Sequence, residues 1–171
     1  MPLQNQNQND AEKLLDATGW QIIRALQENA RLSYHELGRR VGLTAPAVAE
    51  RVRKLEDAGV IMGYTARINP GQVGLPMTVF IRHSATPAGD RGIKQLAMTQ
   101  PEILECHRVT GDDSFIMKVV VTSIAHLEAL IYRLMEYGPS TTSIVLSSPV
   151  EGKPILQEAT RMNDLDGAPL E

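Results

Sequence analysis

The sequence predicts an α+β fold whose two halves are built differently. Between residues 14 and 59 the apolar side chains recur at helical spacings, and capping residues mark the helix starts. From residue 77 to residue 147, stretches typical of strands alternate with stretches typical of amphipathic helices. A stretch rich in Gly and Pro, residues 69–76, separates the halves, and the length of 171 residues suits one medium domain or two small ones.

Two short helices are predicted to begin at capping boxes. Thr18, followed by Gln21, predicts the start of the first helix, and Ser33, followed by Glu36, predicts the start of the second. Gly42 is predicted to turn the chain after the second helix, since glycine adopts the left-handed backbone at little cost.

A third helix is predicted after this turn. Thr44 is its predicted N-cap, Pro46 lies in its first turn, and Gly59 is its predicted C-cap. The absence of a side chain at Gly38 leaves room where the second and third helices approach each other. The apolar residues of the third helix follow at spacings of four and three and are expected to form one buried stripe: Val48, Val52 and Leu55.

Two short strands, Val60-Ile61 and Tyr64 to Ile68, are predicted to form a small hairpin around Gly63. Three short helices followed by a hairpin make a winged helix-turn-helix. Its central motif is predicted to run from Tyr34 to Arg53.

The second half is predicted to be ferredoxin-like, with the element order βαββαβ. In this arrangement two helices cover one face of an antiparallel four-stranded sheet, and the other face stays open. A tight turn at residues 111–113 joins the second and third strands. The predicted strands are Met77 to His83, Ile103 to Thr110, Ser114 to Val121 and Thr141 to Ser147; the predicted helices are Asp90 to Thr99 and a segment carrying Leu127, Leu130, Ile131 and Leu134 before Gly138-Pro139.

The predicted domain boundaries follow from these elements. The Gln/Asn-rich start of the chain is expected to be a disordered tail. The last 21 residues lack a periodic pattern and are expected to form a second, extended or partner-bound tail. The ranges are 1–13 for the first tail, 14–63 for the winged helix-turn-helix, 64–76 for the linker, 77–150 for the ferredoxin-like domain and 151–171 for the C-terminal tail.

A local cluster of basic residues indicates double-stranded DNA as a partner, although the whole chain carries a net charge of −3. Residues 31–54 contain six Lys or Arg against two acidic residues. The face of the third helix opposite its buried stripe is expected to enter the major groove, with small side chains near base edges and cations near phosphates. The predicted DNA-binding residues are Ser33, Tyr34, Arg39, Arg40, Thr44, Ala45, Pro46, Ala47, Glu50, Arg51, Arg53 and Lys54.

Two alternatives stay open for this region. The three-helix unit could serve protein interaction rather than DNA binding. A single arginine could also be solvated or ion-paired, and Arg51 is the clearest case because Glu50 and Glu56 are near it in the sequence.

Several classes of site are disfavoured by composition. Cys106 is the only cysteine, so an intramolecular disulfide and a multi-thiolate metal site are excluded. The four histidines, His35, His83, His107 and His126, lack zinc-ligand spacing with Cys106. We therefore expect no metal and no cofactor. The apolar runs are too short to span a bilayer or to form a signal peptide, so we expect a cytoplasmic protein without a membrane partner.

Several motifs resemble the Lrp/AsnC (feast/famine) family of transcriptional regulators over about residues 14–150. In the second half these are Cys106-His107-x-Val109-Thr110-Gly111-Asp112 and Ser143-Ile144-Val145-Leu146. In the first half they are Ala30-Arg31-Leu32-Ser33, Glu36-Leu37, Val41-Gly42-Leu43-Thr44, Val48-x-x-Arg51-Val52-x-x-Leu55-Glu56 and Gly59-Val60-Ile61-x-Gly63-Tyr64.

The resemblance implies a regulator that forms a homodimer through the open sheet faces, assembles further into tetramers or octamers, and binds imperfect palindromes. It also implies a small-molecule effector such as an amino acid, bound between dimers near the Thr-Gly-Asp turn. Three departures are visible: Gly19 stands where an Asp is common and weakens the helix start, Ser114-Phe115 replaces a common Asp-Tyr pair, and residues 137–142 replace the usual Leu-Pro-Gly-Val.

The residues themselves favour the same effector chemistry. Two segments are dense in short hydroxyl and carboxylate side chains, which suit the ammonium and carboxylate of an amino acid. Turn formation alone could equally explain the Gly-Asp-Asp segment. The predicted effector-binding residues are Thr110, Gly111, Asp112, Asp113, Ser114, Ser140, Thr141 and Thr142.

Two other functions remain alternatives. The first is an enzyme similar to siroheme decarboxylases, which use the same two-domain plan; here His83, His107 and Arg108 would be the candidates. The second is a sequence-tolerant architectural protein that wraps DNA, which would differ from a regulator only in its specificity ratio.

Overall fold

A computed structural model describes residues 11–160, which divide into two compact units. Of the described residues, 11–66 and 150–160 form the first unit, and the second is Arg67–Pro149. The first unit contains helices α1 (Ala17–Glu28), α2 (Tyr34–Val41) and α3 (Ala45–Asp57), and a 3₁₀ helix at Gln157–Thr160. The second contains a 3₁₀ helix (Pro70–Val73), β1 (Met77–His83), α4 (Asp90–Thr99), β2 (Ile103–Arg108), β3 (Phe115–Val121), α5 (Ile124–Met135) and β4 (Ser140–Ile144).

The start of α1 differs from the prediction. Asp16, not Thr18, is the N-cap, because its carboxylate accepts a hydrogen bond from the Gly19 amide at 2.7 Å. Gly19 also lies against the preceding turn: a Cβ at this position would stand 1.9 Å from the Leu14 carbonyl oxygen. The glycine therefore does not merely weaken the helix start, since it permits a close backbone approach there.

The predicted N-caps of α2 and α3 and the predicted turn at Gly42 are confirmed, whereas the C-cap of α3 is Ala58 rather than Gly59. Ser33 and Glu36 form both bonds of a capping box at the start of α2, and Gly42 ends this helix in the left-handed conformation at φ +71°. Thr44 caps α3 by accepting from the Ala47 amide. Gly59, also left-handed, lies one residue beyond the C-cap of α3.

The predicted wing hairpin does not form. Residues 60–69 contain no strand, because the end of α3 engages the donors that the first strand would need. The amides of Val60 and Ile61 both donate to the Leu55 carbonyl, at 2.9 and 3.1 Å. Tyr64, predicted in the second strand, instead donates from its hydroxyl to the Glu56 carboxylate at 2.9 Å. Desolvation and this carboxylate raise the pKa of Tyr64 to about 12.

The second unit has the predicted βαββαβ order and an antiparallel sheet in the order β2-β3-β1-β4. Bounds agree for β1 and α4, whereas the other three strands are shorter than predicted. β4 ends at Ile144, which pairs with Val79 of β1, rather than at Ser147; directly after it, the Val145 amide still donates to the Thr78 carbonyl at 2.9 Å. β2 ends at Arg108 rather than Thr110, and a single Val109–Ser114 backbone bond closes the turn after it.

Alternation along β1 gives the sheet one buried and one open face. Val79, Ile81 and His83 are buried, whereas Phe80 and Arg82 between them are exposed. The buried face packs on the two helices, chiefly through Ile93 of α4 and through Leu127, Leu130 and Leu134 of α5. A separate core in the first unit holds Ile22, Ala25, Leu37, Val48, Val52 and Leu55.

The close approach at Gly38 gives a stability prediction. A Cβ at this position would stand 2.5 Å from the Leu43 carbonyl oxygen in the turn between α2 and α3. This oxygen belongs to the backbone, so it cannot move aside as easily as the end of a side chain. Gly38→Ala is expected to lower the free energy of unfolding by about 1–3 kcal/mol, because overpacking exceeds the gain in helix propensity of roughly 1 kcal/mol. Urea unfolding of the parent and Gly38→Ala proteins measures this difference in the free energy of unfolding.

Gly71→Ala is the matched control, because a Cβ there would meet only the Asn69 side chain at 3.3 Å. We expect its free energy of unfolding to stay within about 0.5 kcal/mol of the parent protein. A Gly38→Ala protein as stable as this control would contradict the tight contact at the turn.

Candidate nucleic-acid interface and effector site

The buried stripe of α3 fixes which of its faces reaches solvent. Val48, Val52 and Leu55 are at most 1% exposed and pack within the core of the first unit. The predicted free face is therefore confirmed as a surface: Pro46, Ala47, Glu50, Arg53 and Lys54 are all exposed.

The start of α3 presents small side chains at the surface. Thr44, Pro46 and Ala47 are exposed, and Ala45 is half-buried. A helix start bearing such short side chains lets the backbone come close to a partner, and its free amides carry partial positive charge. This is the geometry of a helix that reads base edges with its first turn.

Glu50 holds the two cations of this face. Arg53 lies 2.7 Å and Lys54 lies 3.6 Å from its two carboxylate oxygens, and all three side chains are about half exposed or more. Exposed pairs of this kind contribute little to stability. The cations are therefore free to exchange this carboxylate for a phosphate at small cost.

Arg51 is engaged differently from the other basic residues. Its guanidinium binds the Asp16 carboxylate with two hydrogen bonds, of 3.3 and 2.5 Å, and only 27% of its side chain is exposed. Ion pairing was foreseen for this residue, but the partner is Asp16 rather than Glu50 or Glu56. Since Asp16 also caps α1, one carboxylate joins the start of α1 to α3.

The remaining predicted DNA-binding residues lie on or beside α2. Arg39 and Arg40 are exposed in its last turn, and Arg40 is 3.9 Å from Glu28. Ser33 is the exposed N-cap of α2, and Tyr34 is about half exposed.

In the second unit, the two predicted effector segments lie at the same end of the sheet. Ser84, directly after β1, connects them: its amide donates to the Pro139 carbonyl at 3.0 Å, and its hydroxyl lies 3.3 Å from both the Asp112 carbonyl and the Asp113 carboxylate. Ser84 was missed in the sequence, although its place at the end of a central strand could have indicated it. Gly138 permits this approach, since a Cβ there would stand 2.2 Å from the Ser84 carbonyl oxygen.

The individual effector candidates differ in what they already bind. Asp113 is 3.7 Å from Arg82, and the Ser114 hydroxyl accepts from the Ala85 amide at 3.2 Å. The Ser140 hydroxyl is 2.9 Å from Nδ1 of His83, which is fully buried. Burial lowers the pKa of His83, so its ring is held neutral. The other five are exposed: Thr110, Gly111, Asp112, Thr141 and Thr142. Gly111 lies in the turn at φ +110°.

The structure does not assemble the residues of the enzymatic alternative. His83 and Arg108 both pair with Phe115 and lie on the helix-covered face of the sheet, whereas His107, the neighbour of Arg108, points to the open face. Arg108 binds Asp90 of α4 at 2.9 Å. A decarboxylase-like site built from these three residues is therefore not supported.

Within residues 11–160, no group of three His, Cys, Asp or Glu side chains is placed to hold a metal ion. Across the same residues, no helix combines the length and apolarity needed to cross a membrane.

Two family models match the two units. The AsnC-type helix-turn-helix domain matches residues 15–56, and the Lrp/AsnC ligand binding domain matches residues 78–155. Among curated relatives, the uncharacterized HTH-type transcriptional regulator YezC of Bacillus subtilis is 44% identical over 134 residues, which are 78% of this chain and 95% of YezC.

Solved structures give the same relationship. B. subtilis LrpC superposes with a TM-score of 0.77 at 32% identity, over 81% of this chain and 99% of LrpC. The Neisseria meningitidis transcriptional regulator NMB0573, solved as a complex with L-methionine, superposes with a TM-score of 0.79 at 26% identity, over 85% of this chain and 99% of that chain. With both domains matched in order and a relative covered almost end to end, this chain belongs to the Lrp/AsnC family of helix-turn-helix transcriptional regulators.

Proposed function

We propose that this regulator reads duplex DNA with the exposed face of α3 and responds to an amino acid bound at the rim of its C-terminal sheet. The observation that carries the DNA-binding part is the placement of Arg53 and Lys54 opposite the buried stripe of α3. A cationic face on a helix that follows a tight turn suits the major groove.

The DNA contacts divide by side-chain chemistry. Thr44, Ala45, Pro46 and Ala47 approach base edges, where Ala and Thr methyl groups can contact a thymine methyl group. The long cations contact phosphates, which fix register and carry the salt-dependent part of the affinity; these are Arg39, Arg40, Arg53 and Lys54. Ser33, Tyr34, Glu50 and Arg51 border this surface, with Arg51 acting through its hold on Asp16.

The effector part rests on the end of the sheet where Ser84 connects the two polar segments. The exposed Asp112 carboxylate suits the ammonium group of an amino acid, because Asp113 is already engaged by Arg82. Exposed hydroxyls of Thr141 and Thr142 and turn amides suit its carboxylate. The methionine complex of the Neisseria relative supports this chemistry.

Assembly is proposed through the open face of the sheet. Phe80 in the centre of that face is 43% exposed, an apolar surface that a second copy would cover. We propose a homodimer of this kind, with further association into a tetramer or octamer, acting in the cytoplasm where its DNA lies.

Arg53→Ala is expected to weaken DNA binding by about 1 kcal/mol, roughly fivefold, and to reduce the salt slope by about one, because one phosphate contact is lost. Fluorescence anisotropy of a labelled duplex at several salt concentrations measures both. Arg91→Ala, an exposed helical cation of the other unit, is the control and should leave both unchanged. Unaltered affinity of the Arg53→Ala protein would contradict the proposal that this face of α3 contacts DNA. Equal affinity of the parent protein for duplexes of every sequence would favour the architectural protein.

Glu50→Gln is expected to act in the opposite direction. Neutralising this carboxylate removes a charge that repels phosphate and releases Arg53 and Lys54 from their present partner. We expect tighter DNA binding, by about 0.5–1 kcal/mol, and a steeper dependence on salt. Glu128→Gln on α5 is the matched control. Weaker binding by Glu50→Gln would mean that Glu50 itself contacts the DNA, for example by accepting from cytosine.

For the effector, isothermal titration against each of the twenty amino acids is expected to identify at least one ligand. Asp112→Asn should then weaken its binding by about tenfold, because a charge-assisted bond to the ammonium group is lost. Glu128→Gln again serves as control. Absence of heat with every amino acid, together with unaltered assembly, would remove the effector proposal and leave the DNA-binding proposal standing.

A further inference from the structure

The end of the described chain returns to the DNA-binding unit. Residues 67–149 form the second unit, and residues 150–160 belong again to the first. The two units are therefore joined by two covalent crossings, one at Ala66–Arg67 and one at Pro149–Val150. We name residues 150–160 the strap.

Gln27 of α1 holds the strap by its backbone. Its amide nitrogen donates to the Ile155 carbonyl at 2.9 Å, and its amide oxygen accepts from the Ile155 N–H at 2.8 Å. These two hydrogen bonds satisfy both the N–H and the C=O of Ile155, as a neighbouring β-strand would. These two bonds join α1 to a residue that lies 128 positions later in the sequence.

The strap and α1 also line a small cavity together. It is lined by Trp20, Gln21, Arg24, Leu156 and Gln157, among others. The strap ends in the 3₁₀ helix Gln157–Thr160, where the Thr160 hydroxyl donates to the Gln157 carbonyl at 2.7 Å. Ile155 itself is 67% exposed, so polar contacts rather than burial hold this part of the chain.

We propose that the strap is a releasable second tether that restrains the DNA-binding unit, with Gln27 as its positioning residue. A unit joined by one linker reorients freely, whereas a second anchored crossing closes a loop and removes most of that freedom. Because the strap buries little apolar surface, it opens more readily than the helices around it. It begins six residues after β4, the strand whose first residue, Ser140, lies at the rim of the sheet.

Restraint of this kind favours binding of two half-sites at once. A dimer whose two α3 helices are already held in place loses less conformational freedom on binding a palindrome than one with freely moving heads. Binding of a single half-site needs no such preorganisation. Release of the strap therefore weakens binding to a palindrome selectively.

The docking itself is tested by amide hydrogen exchange of the full chain, followed at Ile155. Gln27→Ala should speed exchange at this amide by about tenfold or more, since its acceptor is lost. Gln95→Ala, an exposed glutamine on α4, is the matched control and should leave Ile155 unchanged. Equal exchange in the parent and Gln27→Ala proteins would overturn the docking.

The restraint is tested by fluorescence. Trp20, the only tryptophan, lies in the first unit, and Cys106, the only cysteine, is exposed on β2 in the second. Energy transfer from Trp20 to an acceptor dye on Cys106 gives the distribution of distances between these two residues. Only a small fraction of the subunits carries the acceptor, and each variant is also measured without it. We expect a narrow distribution for the parent and Gln95→Ala proteins and a broad one for Gln27→Ala. If the distance distribution of the Gln27→Ala protein is as narrow as that of the parent protein although its Ile155 amide exchanges faster, the proposal that the strap restrains the DNA-binding unit is wrong.

DNA affinity completes the test. A duplex that carries two half-sites is first selected from a random pool by binding to the protein, and a shorter duplex with only one of these half-sites is made from it. Gln27→Ala should weaken binding to the two-site duplex by about three- to tenfold and leave the one-site duplex unaffected. Equal weakening on both would overturn the preorganising role. No amino acid is present in these measurements, so failure of the effector proposal is seen separately, as an absence of ligand binding by the parent protein.

Discussion

The burial of Val48, Val52 and Leu55 is the constraint on which the rest of the first unit depends. Because these three side chains lie on one side of α3, the remaining surface of that helix has only one direction left, toward solvent. The turn at Gly42, the close contact of Gly38 with the Leu43 carbonyl and the cap at Thr44 all serve to present that stripe to the core. Packing of the stripe therefore determines which face of α3 is exposed. The cationic side chains on that face are not needed for the core and are available for recognition.

Features with local causes were predictable from the sequence. The capping box at Ser33, the cap at Thr44 and the extent of β1 all follow from residues within a few positions of one another. The βαββαβ order was predictable for the same reason, since each element has its own period. For the rim of the sheet, topology alone brings the turn after β2 and the start of β4 to the same end.

Features that depend on distant partners were not predictable. Asp16 caps α1 while binding Arg51, 35 positions away, and nothing near Thr18 signals that choice. A hairpin around Gly63 was predicted from two short strand-like runs, but the Leu55 carbonyl of α3 accepts from the amides of both Val60 and Ile61. The partner of Gln27 lies in a segment without any periodic pattern, so no spacing rule could have found it.

The arrangement around Glu50 has a consequence for how long a complex with DNA persists. In the free protein the Glu50 carboxylate lies 2.7 Å from the Arg53 guanidinium, so it can replace a departing phosphate if Arg53 contacts phosphate as proposed. On that proposal, departure of the phosphate leaves no unpaired guanidinium, which would lower the barrier to dissociation. A phosphate contact of the proposed kind would therefore break quickly, and the protein would exchange rapidly between DNA sites.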